Sequence, residues 1–155
     1  MKKKILVACI LIFIFFCFFI LLKGLDNSNV YIPDENYGKK ISSFKAKKLF
    51  NDQIISSDIL LTDSNFYIIN IWASWCVPCR AEHKHLMQLS DNKLVKIIGI
   101  NYRDSSKNAK KFVKEFGNPF SEIIIDIDGT ISINLGAYGI PETYLIDNNK
   151  RVLKK

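Results

Sequence analysis

Hydrophobic and polar positions divide the chain into three stretches of different character. From Ile5 to Leu22 the residues run 18 in a row without a charge, long enough as a helix to cross the roughly 30 Å apolar core of a bilayer. Residues 23–37 are polar and aperiodic (Asp26, Asn27, Ser28, Asn29, Pro33, Asp34, Glu35, Asn36) and read as a linker. From Gly38 onward, β-branched apolar runs alternate with amphipathic ones. They predict strands over Phe66–Trp72, Leu94–Asn101, Glu122–Asp126, Thr143–Asp147 and Arg151–Lys154. Helices are predicted over Val77–Leu89 and Ser106–Phe116, the second with Ser105 as its cap and Ala109, Phe112, Val113 and Phe116 as a buried stripe. Thr130–Leu135 reads as a short helical turn, and Asn148-Asn149 as a hairpin turn. Strands alternating with helices, then a closing hairpin, predict an α/β domain over residues 38–155. Its mixed central sheet would carry helices on both faces.

Charge refines the first stretch. Lys2, Lys3 and Lys4 precede the apolar run and only Lys23 follows it closely. The positive-inside bias therefore places residues 1–4 in the cytoplasm and the domain beyond the plasma membrane, in the periplasm or its extracytoplasmic equivalent. No small-x-small pattern follows Leu22, so an uncleaved signal anchor over residues 5–22 is expected, with a cleaved signal peptide as the alternative. Cys9 and Cys17 are then small hydrophobes of the span. The formal charge of +7 invites a nucleic-acid reading. Four of the 22 basic residues flank the span, however, leaving 18 against 15 acidic groups, dispersed and without an aromatic-interleaved stripe. No nucleic-acid partner is expected.

Candidate chemistry concentrates at Trp72-Ala73-Ser74-Trp75-Cys76-Val77-Pro78-Cys79, where a predicted strand meets a predicted helix. Two thiols with two residues between them at a helix start can close a disulfide at little conformational cost. The first also ionises readily against unpaired N–H groups and the positive end of the helix dipole. Such a pair suits thiol–disulfide exchange, with Cys76 as an accessible nucleophile and Cys79 behind it. At 100° per residue, Cys79, Glu82, Leu86 and Leu89 share the apolar helix face, while Arg80, Lys84 and Gln88 lie on the wet one. Glu82 on that face is expected to have a raised pKa and to accept the Cys79 proton. The alternative is that it only stabilises the first helical turn. His83 and His85 project about 160° apart, which argues against a shared metal ion, and both are expected at exposed or flanking positions.

Together with Cys79-Arg80-Ala81-Glu82-His83, Gly117-Asn118-Pro119-Phe120 and Gly136-Ala137-Tyr138-Gly139-Ile140-Pro141-Glu142-Thr143, this motif resembles the thioredoxin superfamily. Within it the chain looks like the membrane-anchored thiol:disulfide interchange proteins of cytochrome c maturation, the DsbE/CcmG type. The resemblance implies a thioredoxin-like three-layer sandwich, a redox-active Cys76–Cys79 disulfide and no cofactor beyond it. It also implies a cis-proline loop at Ile140-Pro141 facing the disulfide, with Pro141 part of the catalytic apparatus. Trp75, Ile140, Glu142 and Thr143 would border the substrate, and Glu82 and Glu142 would supply an acidic site. Implied partners are apocytochrome c or another maturation thiol protein, and a membrane electron donor that re-reduces the cysteines. Asn70 stands where thioredoxins carry a buried aspartate, and Lys155 falls short of the family's closing helix. The rival readings are a general reductase of the ResA or TlpA type, a metal-delivery protein of the same fold, and an inert interaction domain.

Overall fold

In the computed structural model, residues 2–26 and 37–155 are described, and the chain divides into the units Met1–Pro33 and Asp34–Lys155. Met1 of the expected basic tip and residues 27–36 of the expected linker lie outside the described residues. The described part of the first unit is one helix, α1 (Lys2–Asp26), containing the whole charge-free run. Its 25 residues rise about 38 Å, and by length and composition it can cross a membrane.

The second unit is built on a seven-stranded sheet. In chain order its elements are β1 (Lys45–Lys48), β2 (Ile54–Ser56), α2 (Ser57–Leu60), β3 (Phe66–Trp72) and α3 (Val77–Ser90), then β4 (Val95–Tyr102) and α4 (Ser106–Phe116). They end with β5 (Glu122–Asp126), α5 (Thr130–Asn134), β6 (Glu142–Asp147) and β7 (Val152–Lys154). The strand order is β2-β1-β5-β4-β3-β6-β7. The β3–β4 and β4–β5 pairs are parallel and the remaining four antiparallel, so the sheet is mixed as expected.

Strand alternation distributes the core between two faces. Tyr67, Ile69 and Ile71 of β3, Ile98 and Ile100 of β4 and Ile124 of β5 pack together with Leu60 and Leu135 on one side. Ile68, Trp72, Ile97 and Ile123 point the other way, onto Cys79 and Leu86 of α3 and Ala109, Phe112 and Val113 of α4. The central strands are buried on both faces, which is why they read as continuous apolar runs.

The differences from expectation have local causes. β1, β2 and α2 escaped sequence reading because each is only three or four residues long. β1 is Lys-Ala-Lys-Lys with only Ala46 buried, a composition suited to the margin of a sheet. β4 starts at Val95, leaving Leu94 exposed, and ends at Tyr102. β6 begins at Glu142, and β7 at Val152. Phe116 is not in the buried stripe. As the last residue of α4 it is 41% exposed, its ring 4.9 Å from that of Phe112. Ser105 does cap α4, its hydroxyl accepting the Asn108 N–H.

Gly99 in β4 marks a close approach on the α3–α4 face. A Cβ there would fall 2.8 Å from Trp72 Nε1 and 2.9 Å from the Phe120 ring, two rigid, stacked aromatics. Gly99→Ala is therefore expected to destabilise the domain by about 1–3 kcal/mol, seen as a lower urea midpoint with an unchanged slope.

Candidate active site

β3 ends at Trp72, the chain turns through Ala73-Ser74-Trp75, and Cys76 becomes the N-cap of α3. Pro78 sits in the first helical turn, where its missing N–H costs nothing. The Cys76 sulfur accepts the Cys79 N–H at 3.2 Å, occupying the position that a serine or aspartate oxygen takes in ordinary caps. Cys76 and Cys79 form a disulfide with Cα atoms 5.3 Å apart. Both are 4% exposed, so the accessible Cys76 expected from the sequence is not met in the disulfide form. Trp75 (57% exposed) and Val77 flank it at the surface.

Behind the disulfide lies a polar network fixed by strand register. Asn70 of β3 pairs directly with Thr143 of β6, both on the face that meets α3. The Asn70 amide donates to Glu82 Oε1 (2.7 Å) and to Thr143 Oγ1 (2.9 Å), and the Thr143 hydroxyl donates to the same Glu82 oxygen (3.1 Å). Glu82 is half-buried, one helical turn beyond Cys79. Among the described residues no donor meets its other oxygen. Thr143, expected to border substrate, thus turns its hydroxyl inward onto Glu82.

The Ile140-Pro141 peptide is cis. Ile140 packs against the cluster that holds Cys76 and Cys79. Glu142 braces this loop. Its Oε1 accepts the Tyr138 and Gly139 N–H groups (2.7 and 3.3 Å), and its Oε2 accepts the Tyr144 hydroxyl (2.6 Å) and pairs with Lys155 (2.8 Å). Burial alone would raise the Glu142 carboxyl. The hydrogen bonds from Lys155, Tyr144 and Tyr138, with the Lys155 charge, outweigh it and hold the group below its ordinary value of 4.5. Burial, reinforced by that carboxylate, pushes the Tyr144 phenol far above its usual range. Glu142 is therefore an anion committed to its own loop.

His83 contradicts its expected exposure. It is 4% exposed, its ring stands edge-on to Phe112 at 5.0 Å, and Nε2 donates to the Gly117 carbonyl at 3.0 Å. Four residues beyond Cys79, it lies only about 40° round the helix from it; the wheel that placed Glu82 inside places His83 there too. His85 is exposed as expected.

Sequence reasoning missed the corner between β4 and α4. Asp104 is buried and accepts the Ser74 N–H (2.7 Å) and hydroxyl (3.0 Å), the Asn101 amide (3.1 Å) and the Ser105 N–H (2.8 Å). The Trp75 indole N–H donates to the Arg103 carbonyl at 3.1 Å. The available signal was polar Asn101 and Asp104 at the carboxyl end of a central parallel strand, where sites of open α/β sheets gather. Beside this corner a cleft of about 260 Å³ is lined by Ser74, Trp75, Arg80, Lys111, Phe112 and Phe116, among others.

Comparison with known proteins follows the same lines. The Redoxin family model matches residues 34–155. The thiol:disulfide interchange protein DsbE of Escherichia coli (strain K12) is 36% identical over 156 residues, covering 96% of this chain and 82% of its own length. CycY of Rhizobium leguminosarum bv. viciae, another thiol:disulfide interchange protein, is 46% identical over 88 residues, 57% of this chain and 47% of its own. Among solved structures, a secreted Mycobacterium tuberculosis disulfide oxidoreductase homologous to E. coli DsbE superposes with a TM-score of 0.62. It covers 70% of this chain and 79% of its own at 23% identity, and so shares the fold.

The ion pair of Glu142 has a pH signature. A carboxyl held below 4.5 in the folded state adds stability above that value and loses it as pH falls through the folded pKa. Glu142→Gln should therefore cost stability at pH 7 and progressively less on acidification below about pH 4.5. Urea melts of both proteins across that range check the sign.

Proposed function

Because this chain belongs to the Redoxin family and to its thiol:disulfide interchange proteins of the DsbE type, we propose that it is a reductant in cytochrome c maturation, working outside the plasma membrane. As a thiol–disulfide oxidoreductase its chemistry is exchange between a dithiol and a disulfide. The proposed substrate is the disulfide of the haem-attachment cysteines of an apocytochrome c, or that of a thiol protein delivering to it. Helix α1 tethers the domain to the inner membrane, and residues 38–155 carry the activity.

The observation that carries the exchange chemistry in this reading is the Cys76 sulfur at the N-cap of α3, accepting the Cys79 N–H; the reducing direction rests on the likeness to the DsbE proteins. In the reduced protein the same hydrogen bond and the helix dipole favour a Cys76 thiolate over a Cys79 one. The thiolate attacks one sulfur of the substrate disulfide, the other sulfur leaves as a thiolate, and a mixed disulfide forms. Cys79, after giving up its proton, attacks Cys76 and expels the second substrate thiolate. Two electrons pass to the substrate, and the Cys76–Cys79 disulfide remains.

Glu82 serves in this scheme as the acceptor of the Cys79 proton, held by Asn70 and Thr143 one turn away. This network replaces the strand aspartate of thioredoxins with an amide and moves the acid to the helix. Trp75, Ile140 and the backbone before Pro141 bound the surface on which an extended substrate lies. Glu142 supports that surface by fixing the loop. A membrane electron donor returns two electrons to the pair after each cycle.

Cys79→Ser is expected to accumulate a mixed disulfide through Cys76 with an oxidised Cys-x-x-Cys-His peptide, visible as a mass adduct reversed by dithiothreitol. Cys76→Ser should form none; an adduct on Cys79 instead would reverse the assigned order. Glu82→Gln should slow substrate release by on the order of 10²-fold with little change in the unfolding midpoint, as expected for loss of a general base. Stopped-flow release of the reduced peptide measures it.

A further inference from the structure

Asp104 is a buried carboxylate outside the exchange chemistry described above. It is 6% exposed, yet no cation pairs with it among the described residues. Its neighbour Arg103 turns away, donating from Nε to the Asp128 carbonyl and lying over the Tyr102 ring. Four neutral donors hold the charge instead, two of them from Ser74, two residues before Cys76. Such an arrangement is costly to build unless every bond is kept, so it behaves as a rigid unit.

The consequence falls on the loop that delivers Cys76. Ser74 is clamped by its backbone and its hydroxyl, and Trp75 by its indole N–H on Arg103. From the other side, Cys76 is fixed as the cap of α3. A loop held at both ends loses little further freedom when the sulfurs join, which favours the disulfide. The Asp104 charge acts in the same sense, since it opposes a second negative charge developing at Cys76 in the dithiol form. Both effects make the dithiol the stronger electron donor.

We propose that Asp104 is a positioning residue that, through Ser74, holds the Cys76 loop and sets the reducing strength of the Cys76–Cys79 pair. The inference rests on exchange chemistry alone and not on the substrate assigned above.

The test equilibrates the full-length chain in detergent with glutathione and its disulfide. Two glutathione thiols supply two electrons and two protons, the protein disulfide becomes two thiols, and glutathione disulfide is released. Peptide-resolved alkylation reads the Cys76 and Cys79 populations apart from Cys9 and Cys17. Asp104→Asn should move the equilibrium constant toward the dithiol by about tenfold, the equivalent of one unit of differential interaction. Ser74→Ala keeps the charge and removes one donor, so it should move the constant the same way by a smaller factor. In the Asp104→Asn background, Ser74→Ala should add almost nothing. Equilibrium constants equal to that of the unsubstituted chain, even with lowered unfolding midpoints, would make Asp104 merely structural and overturn the proposal. Should Asp104→Asn fail to fold, Ser74→Ala alone decides: a shift toward the dithiol supports the proposal, and an unchanged constant overturns it.

Discussion

The site depends on one constraint: a cysteine sulfur must act as the N-cap of α3. That role places Cys76 against the Cys79 N–H and puts both sulfurs within bonding distance. It also aims the positive end of the α3 dipole at the sulfur that must carry negative charge. The surrounding structure supports this placement. Parallel strands β3 and β4 end within one residue of each other, the last residue of β3, Trp72, lying opposite Asn101. The turn after β3 and the corner after β4 are therefore neighbours, and Ser74 and Trp75 reach Arg103 and Asp104.

Sheet register organises the polar interior in the same way. Even-numbered residues of β3 face α3 and α4, so Asn70 falls between Ile68 and Trp72 in a largely apolar layer. An unpaired amide there would cost roughly 1–3 kcal/mol. Thr143, opposite it on β6, and Glu82 above it on α3 satisfy that amide. One buried amide thereby joins a strand on each side of the sheet's antiparallel step to the catalytic helix. The loop before β6 is held separately, by Glu142 accepting from Tyr138, Gly139 and Tyr144 and pairing with Lys155.

Much of this was legible from residue order. The apolar runs of β3, β4 and β5 and the capped, amphipathic α4 announce themselves because burial on two faces, or on one helical stripe, imposes a period. The cysteine pair at a strand–helix junction is legible for the same reason. Short elements with no period, such as Lys45–Lys48, are not, because one buried alanine among lysines carries no signal. The burial of His83 follows from the same helical period, about 40° from Cys79, although a comparison of the two histidines as metal ligands does not show it. The role of Asp104 needs the β4 corner folded against the β3 turn, a contact 30 residues apart in sequence. The partners of Glu142, Tyr144 and Lys155, come together only in the folded loop, so its bracing contacts were not legible beside its expected place as a second acid near the thiols.

The central claim is the inequality of the two sulfurs: Cys76 is the attacking thiol, and Cys79 resolves. After full reduction, pulse alkylation with iodoacetamide at neutral pH, followed by peptide mapping, reads the rate at each cysteine separately. The account predicts that Cys76 labels several-fold faster than an unperturbed thiol and Cys79 far more slowly. If Cys79 labels first, or neither exceeds an ordinary cysteine, the N-cap does not activate Cys76 and the account is contradicted.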